Sequence, residues 1–347
     1  MLASSGLPIV TVIIPNYNHA QYLSRRIESV LQQTVRELEV LILDDCSPDN
    51  SREVIEHYAR LDARIRTVYN EQNSGSTFKQ WNKGLALARS KYVWIAESDD
   101  YADPTMLETL LARLDANPAL GLAYCDSWIV DEHNITIRQC TYLEDEPDTL
   151  LWAKDFEIDG IHLIRKYMSY ENIIPNASGV VMRRDVVAMV GPAPENYRML
   201  GDWLFWAKIL AVSQVAYVAQ PLNYFRQHTN NVRSSVRTNG VGLLEETFML
   251  KAMQQYGPPN AHFYGRKVDY ILRTWFNSLI YHQVPREMYR TMEQNMCEVD
   301  PHFRQLFRTE WLKFLVRNKC SGLRQLVGEG VLYPLLRRVK GNTARRS

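Results

Sequence analysis

The sequence predicts an α/β fold: a mostly parallel sheet with helices on both faces, followed by a helical C-terminal extension. Three observations carry this. Over the first 125 residues, short apolar β-branched runs alternate with segments of helical apolar spacing. After about Val232 the pattern turns helical, and His262 to His282 places Tyr264, Val268, Ile271, Leu272, Trp275 and Leu279 on one face. Two strand-like runs end in acids: Leu38 to Leu43 runs into Asp44-Asp45, and Tyr92 to Ala96 into Glu97-Ser98-Asp99-Asp100.

The elements follow in order. Val10 to Ile14 is a strand closed by Pro15-Asn16. Tyr22 to Gln33 is helical through Tyr22, Ile27, Val30 and Leu31. After the Leu38–Leu43 strand, Cys46-Ser47-Pro48-Asp49-Asn50 is turn-rich, and Ser51 is placed to cap a helix Arg52 to Leu61. Ile65 to Tyr69 is a strand, Phe78 to Ala88 a helix, Tyr92 to Ala96 a strand, and Pro104 to Leu114 a helix with proline in its first turn. Leu120 to Cys125 is a fifth strand. Residues 126 to 175 are irregular. Ser178 to Met182 resumes as strand, Leu204 to Ala211 as helix, and Val215–Val218 and Leu222–Phe225 as two short strands. The expected domains are residues 1–232 and 233–347.

With 347 residues, 46% hydrophobic and 23% charged, the chain can bury a full core. Five scattered cysteines without a CxxC pair argue against a disulfide framework or a zinc site and for a reducing compartment. No run approaches the roughly 18 apolar residues of a membrane span. The first residues lack a basic stretch followed by an apolar one, so no signal peptide is expected. A cytoplasmic location follows as the expectation. Net charge is +1, yet the segment from Arg304 onward carries eleven Lys/Arg and two acids, a local +9 against −8 for the rest.

In a parallel sheet, ligands sit beyond the carboxyl ends of the strands, where both acidic clusters fall. Crowded carboxylates repel unless a cation or its ligand neutralises them. The two acidic ends therefore suggest a shared metal and nucleotide site. An aromatic face such as Tyr17, just past the first strand, suits a planar heterocycle; the alternative for Tyr17 is a buried loop anchor. Asp202 at a helix start reads, from its position alone, as an N-cap.

The segments Val10-Thr11-Val12-Ile13-Ile14-Pro15-Asn16-Tyr17-Asn18, Leu43-Asp44-Asp45-Cys46-Ser47-Pro48-Asp49, Asn73-Ser74-Gly75 with Asn82-Lys83-Gly84, Glu97-Ser98-Asp99-Asp100 and Gly201-Asp202-Trp203-Leu204-Phe205-Trp206 appear in an order and spacing that resembles the family 2 glycosyltransferases. The resemblance covers roughly residues 8 to 230. It implies the GT-A fold and an inverting sugar transfer from a nucleotide-diphosphate donor, a UDP-, dTDP- or GDP-sugar. The implied acceptor is a hydroxyl of a glycan or lipid-linked glycan, in surface polysaccharide biosynthesis. It implies Mg²⁺ or Mn²⁺ at Asp100 and Asp99, with ribose contact as the other role of Asp99, and it implies Asp202 as general base. The donor side would be lined by Pro15, Tyr17 and Asp45, with Asp45 taking the base of the nucleotide and Lys79 or Gln80 a phosphate. Arg226 and His228 would reach the diphosphate or complete the metal shell; a surface-strand position is the other reading of each.

Two positions depart from the family pattern: Glu97 stands where Asp is usual, and Trp81 where arginine often precedes the Asn of the third motif. They keep open a catalytically impaired sugar-nucleotide-binding or scaffold protein. A nucleotidyltransferase would need a Gly-rich loop after the first strand, and Pro15-Asn16-Tyr17-Asn18 has no glycine. No nucleic-acid module is recognisable. The tail Leu332-Tyr333-Pro334-Leu335-Leu336-Arg337-Arg338-Val339-Lys340 reads either as a peripheral contact with an anionic inner membrane face or as a solvated basic terminus.

Overall fold

Four parallel strands form one half of the sheet: β1 (Val10–Asn16), β2 (Leu38–Asp44), β3 (Ile65–Tyr69) and β4 (Tyr92–Ile95). The other half holds β5 (Tyr101–Ala102), β6 (Leu120–Val130), β7 (Thr136–Gln139), β8 (Phe156–Asp159), β9 (Val180–Arg183) and β10 (Gln214–Arg226). The order is β3-β2-β1-β4-β9-β6-β10-β5, with β7 on β6 and β8 on β10. β9 lies antiparallel between β4 and β6, and β6 pairs in parallel with β10. The computed structural model describes residues 8–140, 142, 147–227, 239–282 and 284–317.

The helices of this part are α1 (Ala20–Leu31), α2 (Ser51–Leu61), α3 (Thr77–Leu87), α4 (Met106–Ala116), the short α5 (Gly160–Leu163), α6 (Arg184–Val190) and α7 (Gly201–Leu210). Alternate strand residues point to opposite faces. Val10, Val12 and Ile14 of β1 and Val40 and Ile42 of β2 share one buried cluster with Leu23 and Ile27 of α1, Ile55 of α2 and Leu110 of α4. Ile13 and Leu43 point the other way, onto α3. A Cβ at Gly84 of α3 would lie 2.4 Å from Ile13 Cγ2 and 3.0 Å from Leu43 Cδ1. Glycine is required there for α3 to lie flat on the sheet. Helices thus cover both faces, as the alternating pattern predicts.

Four local expectations change. Ser51 does not cap α2; it is the first helical residue, and Asp49 Oδ1 accepts from its N–H at 3.0 Å. Pro104 precedes α4 rather than opening it, and the turn is closed by Asp103, whose Oδ1 accepts from Thr105 N at 2.9 Å. The two short strands expected at 215–225 are one strand, β10, whose register shifts around Pro221, a residue with no N–H for the ladder. The segment expected to be irregular carries the extension of β6 to Val130 together with β7 and β8.

The chain divides into two compact units, the second beginning at 232 and excluding Tyr256–Pro259, which belong to the first. The expected boundary at 232 itself lies outside the described residues. The second unit contains α8 (Val241–Met253), α9 (Ala261–Tyr281), α10 (Arg286–Val299) and α11 (Phe303–Arg317). Its core gathers Leu250, Ile271, Trp275, Phe276, Met292 and Phe303. Asn260 caps α9 by accepting from His262 N and Phe263 N. Among the described residues no helix is long and apolar enough to cross a membrane. The basic tail Leu332 to Lys340 lies outside them.

Candidate active site

The site is built at the carboxyl ends of β1, β2 and β4. Asp44 closes the turn after β2: its Oδ1 accepts from Asn16 Nδ2 at 2.8 Å and Ser47 Oγ at 2.6 Å, and its Oδ2 accepts from Ser47 N. Asp44 is thus a turn former, and it ties the loop after β1 to the loop after β2. Asp45, 4% exposed, turns the other way. Its Oδ1 accepts from Asn70 Nδ2 (2.6 Å), Ser74 N (2.9 Å) and Gln80 Nε2 (2.9 Å), and its Oδ2 from Ser74 Oγ (2.8 Å). One carboxylate therefore pins the Asn73-Ser74-Gly75 loop and the start of α3.

The acidic turn after β4 is held from beneath. Arg26 of α1 is fully buried; its Nε donates to Glu97 O at 2.8 Å and its Nη2 lies 4.0 Å from Asp100 Oδ2. Burial pulls the guanidinium down to about 10, so it stays charged at neutral pH. Asp100 is 2% exposed. It accepts from Asn176 Nδ2 (2.9 Å), Ser178 Oγ (2.6 Å) and Arg226 N (2.8 Å). Burial, with the charge of Asp99 second, pushes Asp100 up to about 6. The same two causes, in the same order, push Glu97 up to about 8.

Helix α3 links the acidic elements to one another. Gln80 reaches Asp45, and Trp81 Nε1 donates to Glu97 Oε1 at 2.6 Å. Phe78 lies so close to Gly201 that a Cβ there would stand 2.6 Å from its ring. Trp81 also packs on Phe205 and Trp206 of α7. Helix α7 carries Asp202 in its first turn, one residue inside the helix; the N-cap position is Leu200, so the N-cap reading does not hold. Asp202 is half-buried, accepting from Asn172 Nδ2 at 3.1 Å and Trp203 N at 2.8 Å. Trp203, Phe205 and Trp206 are core residues.

Pro15, Tyr17, Asp45, Lys79, Asp99, Asp100 and Asp202 lie on elements joined by these contacts. Tyr17 is 46% exposed, which removes the buried-anchor reading. Lys79 is exposed and its Nζ donates to Ser74 O at 3.2 Å. Arg226 departs from each of its three expected readings. It is 3% exposed, and its guanidinium donates to Asp99 O (2.6 Å), Asp131 O (2.6 Å) and Asn134 Oδ1 (2.7 Å). Its donors are committed to the fold, and it clamps the acidic turn to the end of β10. His228 lies outside the described residues.

Among the described residues, no three His, Cys, Asp or Glu side chains gather closely enough to hold a metal ion by themselves. A Mg²⁺-like cation in a nucleotide site needs only one or two carboxylates, because phosphates and water complete its shell. Asp99, the more exposed of the adjacent pair, fits that arrangement. Asp100 fits it less well, since its oxygens already accept three protein hydrogen bonds and one lies 4.0 Å from the Arg26 guanidinium.

Sequence reasoning missed Arg26, Asn176 and Ser178 as the scaffold of the acidic turn. Arg26 had a signal. It occupies the apolar stripe of α1 formed by Tyr22, Leu23, Ile27 and Val30, where a charge is costly unless paired. Asn176 and Ser178 lie in a stretch that resembles the acceptor-side segment of the family, but their bonds to Asp100 have no local signature because that partner is distant in sequence.

A mostly parallel strand-helix sheet with acids at its carboxyl edge is the architecture of the GT-A nucleotide-sugar fold. The sequence matches the model of glycosyl transferase family 2 over residues 11–172. It is 30% identical over 213 residues to an uncharacterized glycosyltransferase, MJ1057, of Methanocaldococcus jannaschii, covering 61% of this chain and 68% of that one. The chain belongs to this family. It is 40% identical over 104 residues to the putative teichuronic acid biosynthesis glycosyltransferase TuaG of Bacillus subtilis, covering 30% of this chain and 41% of that one. The match spans only 32% to 41% of the length of this and two other curated relatives. The fold is that of the mannosyltransferase PcManGT from Pyrobaculum calidifontis, solved in complex with GDP-Man and Mn²⁺, at a TM-score of 0.55 and 15% identity over 92% of this chain and 88% of that one.

Proposed function

We propose that this protein transfers a sugar, with inversion, from a nucleotide-diphosphate donor to a hydroxyl of a glycan or lipid-linked glycan during surface polysaccharide biosynthesis. The observation that carries this reading is the reach of α3. Through Gln80, Trp81 and Phe78 it contacts the Asp45 loop, the Asp99 turn and the helix bearing Asp202. Family membership and the similarity to TuaG support the reaction class and the pathway.

Tyr17, with its exposed ring, would stack on the nucleotide base. Asp99 would hold Mg²⁺ or Mn²⁺, which when bound draws negative charge off the departing diphosphate. Asp202 takes the proton of the acceptor hydroxyl as its oxygen attacks the anomeric carbon from the face opposite the leaving group. Its place in the first turn of α7 favours the carboxylate form. No covalent intermediate is needed for inversion.

Thermal unfolding against a panel of UDP-, dTDP- and GDP-sugars, with and without Mn²⁺, tests the reading. A rise in Tm for one donor class that depends on Mn²⁺ and is lost in Asp99→Asn is the expected result. Silence across the panel overturns it. Stabilisation by a donor without turnover on any acceptor would instead favour a sugar-nucleotide-binding scaffold.

A further inference from the structure

The two residues that depart from the family pattern are hydrogen-bonded to each other: Trp81 Nε1 donates to Glu97 Oε1 at 2.6 Å. The Glu97 backbone is already fixed, its N–H on Ser178 Oγ (3.0 Å) and its carbonyl on Arg26 Nε (2.8 Å) and Asp100 N (3.2 Å). Its side chain therefore carries the contact from the acidic turn to α3. Trp81 is 3% exposed and seated among Phe78, Phe205 and Trp206, so its ring continues that contact into α7.

We infer that Glu97 is a positioning residue: through the Trp81 indole it sets the acidic turn against the helix that bears Asp202. This rests on the reading above for Asp99 and Asp202. The role needs an acceptor oxygen at Glu97 and no charge. A metal ligand would need the charge. Glu97→Gln and Glu97→Ala therefore separate the two.

The test combines hydrogen exchange with kinetics on the full chain, using Trp81→Phe, Glu97→Ala, their double variant and Glu97→Gln. Amide exchange in peptides spanning 97–101 and 201–206 should accelerate together, by about tenfold, in Glu97→Ala and Trp81→Phe, as expected when a net hydrogen bond is lost. The double variant should be no worse than either single one, and Glu97→Gln should protect these peptides at least as well as wild type. Turnover should fall by about tenfold in the same three variants, with donor KM within about threefold, because misplacement affects the transition state more than binding.

Additive effects, acceleration confined to 97–101, or a Glu97→Gln variant as damaged as Glu97→Ala would overturn the inference. Glu97→Ala leaves the Trp81 ring in place and carries the test should Trp81→Phe fail to fold. A wild-type protein inactive with every donor would defeat the proposed function, while the exchange data would still decide the role of Glu97.

Discussion

Arg26 Nη2 lies 4.0 Å from Asp100 Oδ2 at the base of the acidic turn, with both side chains almost wholly excluded from water. Breaking a buried pair from one side strands the other charge. Arg26→Met should lower unfolding free energy by about 3–5 kcal/mol. Adding Asp100→Asn should recover part of that loss, because the stranded carboxylate is then gone. Urea unfolding of both variants measures it, and a double variant weaker than Arg26→Met would contradict the pairing.

Glu97 gives stability a pH dependence whose sign is fixed. In the folded protein it keeps its proton up to about 8, whereas the unfolded chain releases it near 4.5. Between those values the folded state binds more protons, so this group's contribution to stability declines as pH rises through the interval. Glu97→Gln keeps the acceptor for Trp81 and has nothing to ionise. Its Tm advantage over wild type should grow from about pH 5 to about pH 8 in chelator. An advantage that shrinks with rising pH would show that Glu97 titrates in the opposite sense.

Asp45 takes donors from Asn70, Ser74 and Gln80. Asp45→Ala leaves them without their acceptor and should cost about 1–3 kcal/mol in denaturant unfolding. The 70–80 segment should also become sensitive to proteolysis. Unchanged protease resistance there would mean the loop is held by other contacts.

Tyr17 is predicted to act on binding alone. Its exposed ring contributes little to the fold, so Tyr17→Ala should leave Tm unchanged while raising donor KM by about 2–10-fold, the range of aromatic stacking. A large drop in Tm would return Tyr17 to the loop-anchor role.

Much of the first unit is legible because its strands and helices are local in sequence. Ile65–Tyr69 is read to the residue. What was not legible depends on partners far away. The antiparallel insertion of β9 between β4 and β6 has no local signature. The two-residue β5 is too short to show periodicity. Arg226 looks like a surface arginine until three acceptors from the 99–134 region close around it. The fixing of Asp100 within the fold likewise depends on Asn176, Ser178 and Arg26. The Trp81–Glu97 bond turns two apparent departures into one contact.

The most direct test of the shared donor site is Asp202→Asn, assayed for binding and for turnover with the donor that stabilises the wild type. Asp202→Asn should keep the Mn²⁺-dependent thermal shift of wild type while losing turnover by about 10²–10⁴-fold. Turnover within about twofold of wild type would contradict the assignment of Asp202 as the base and with it the reading of the site.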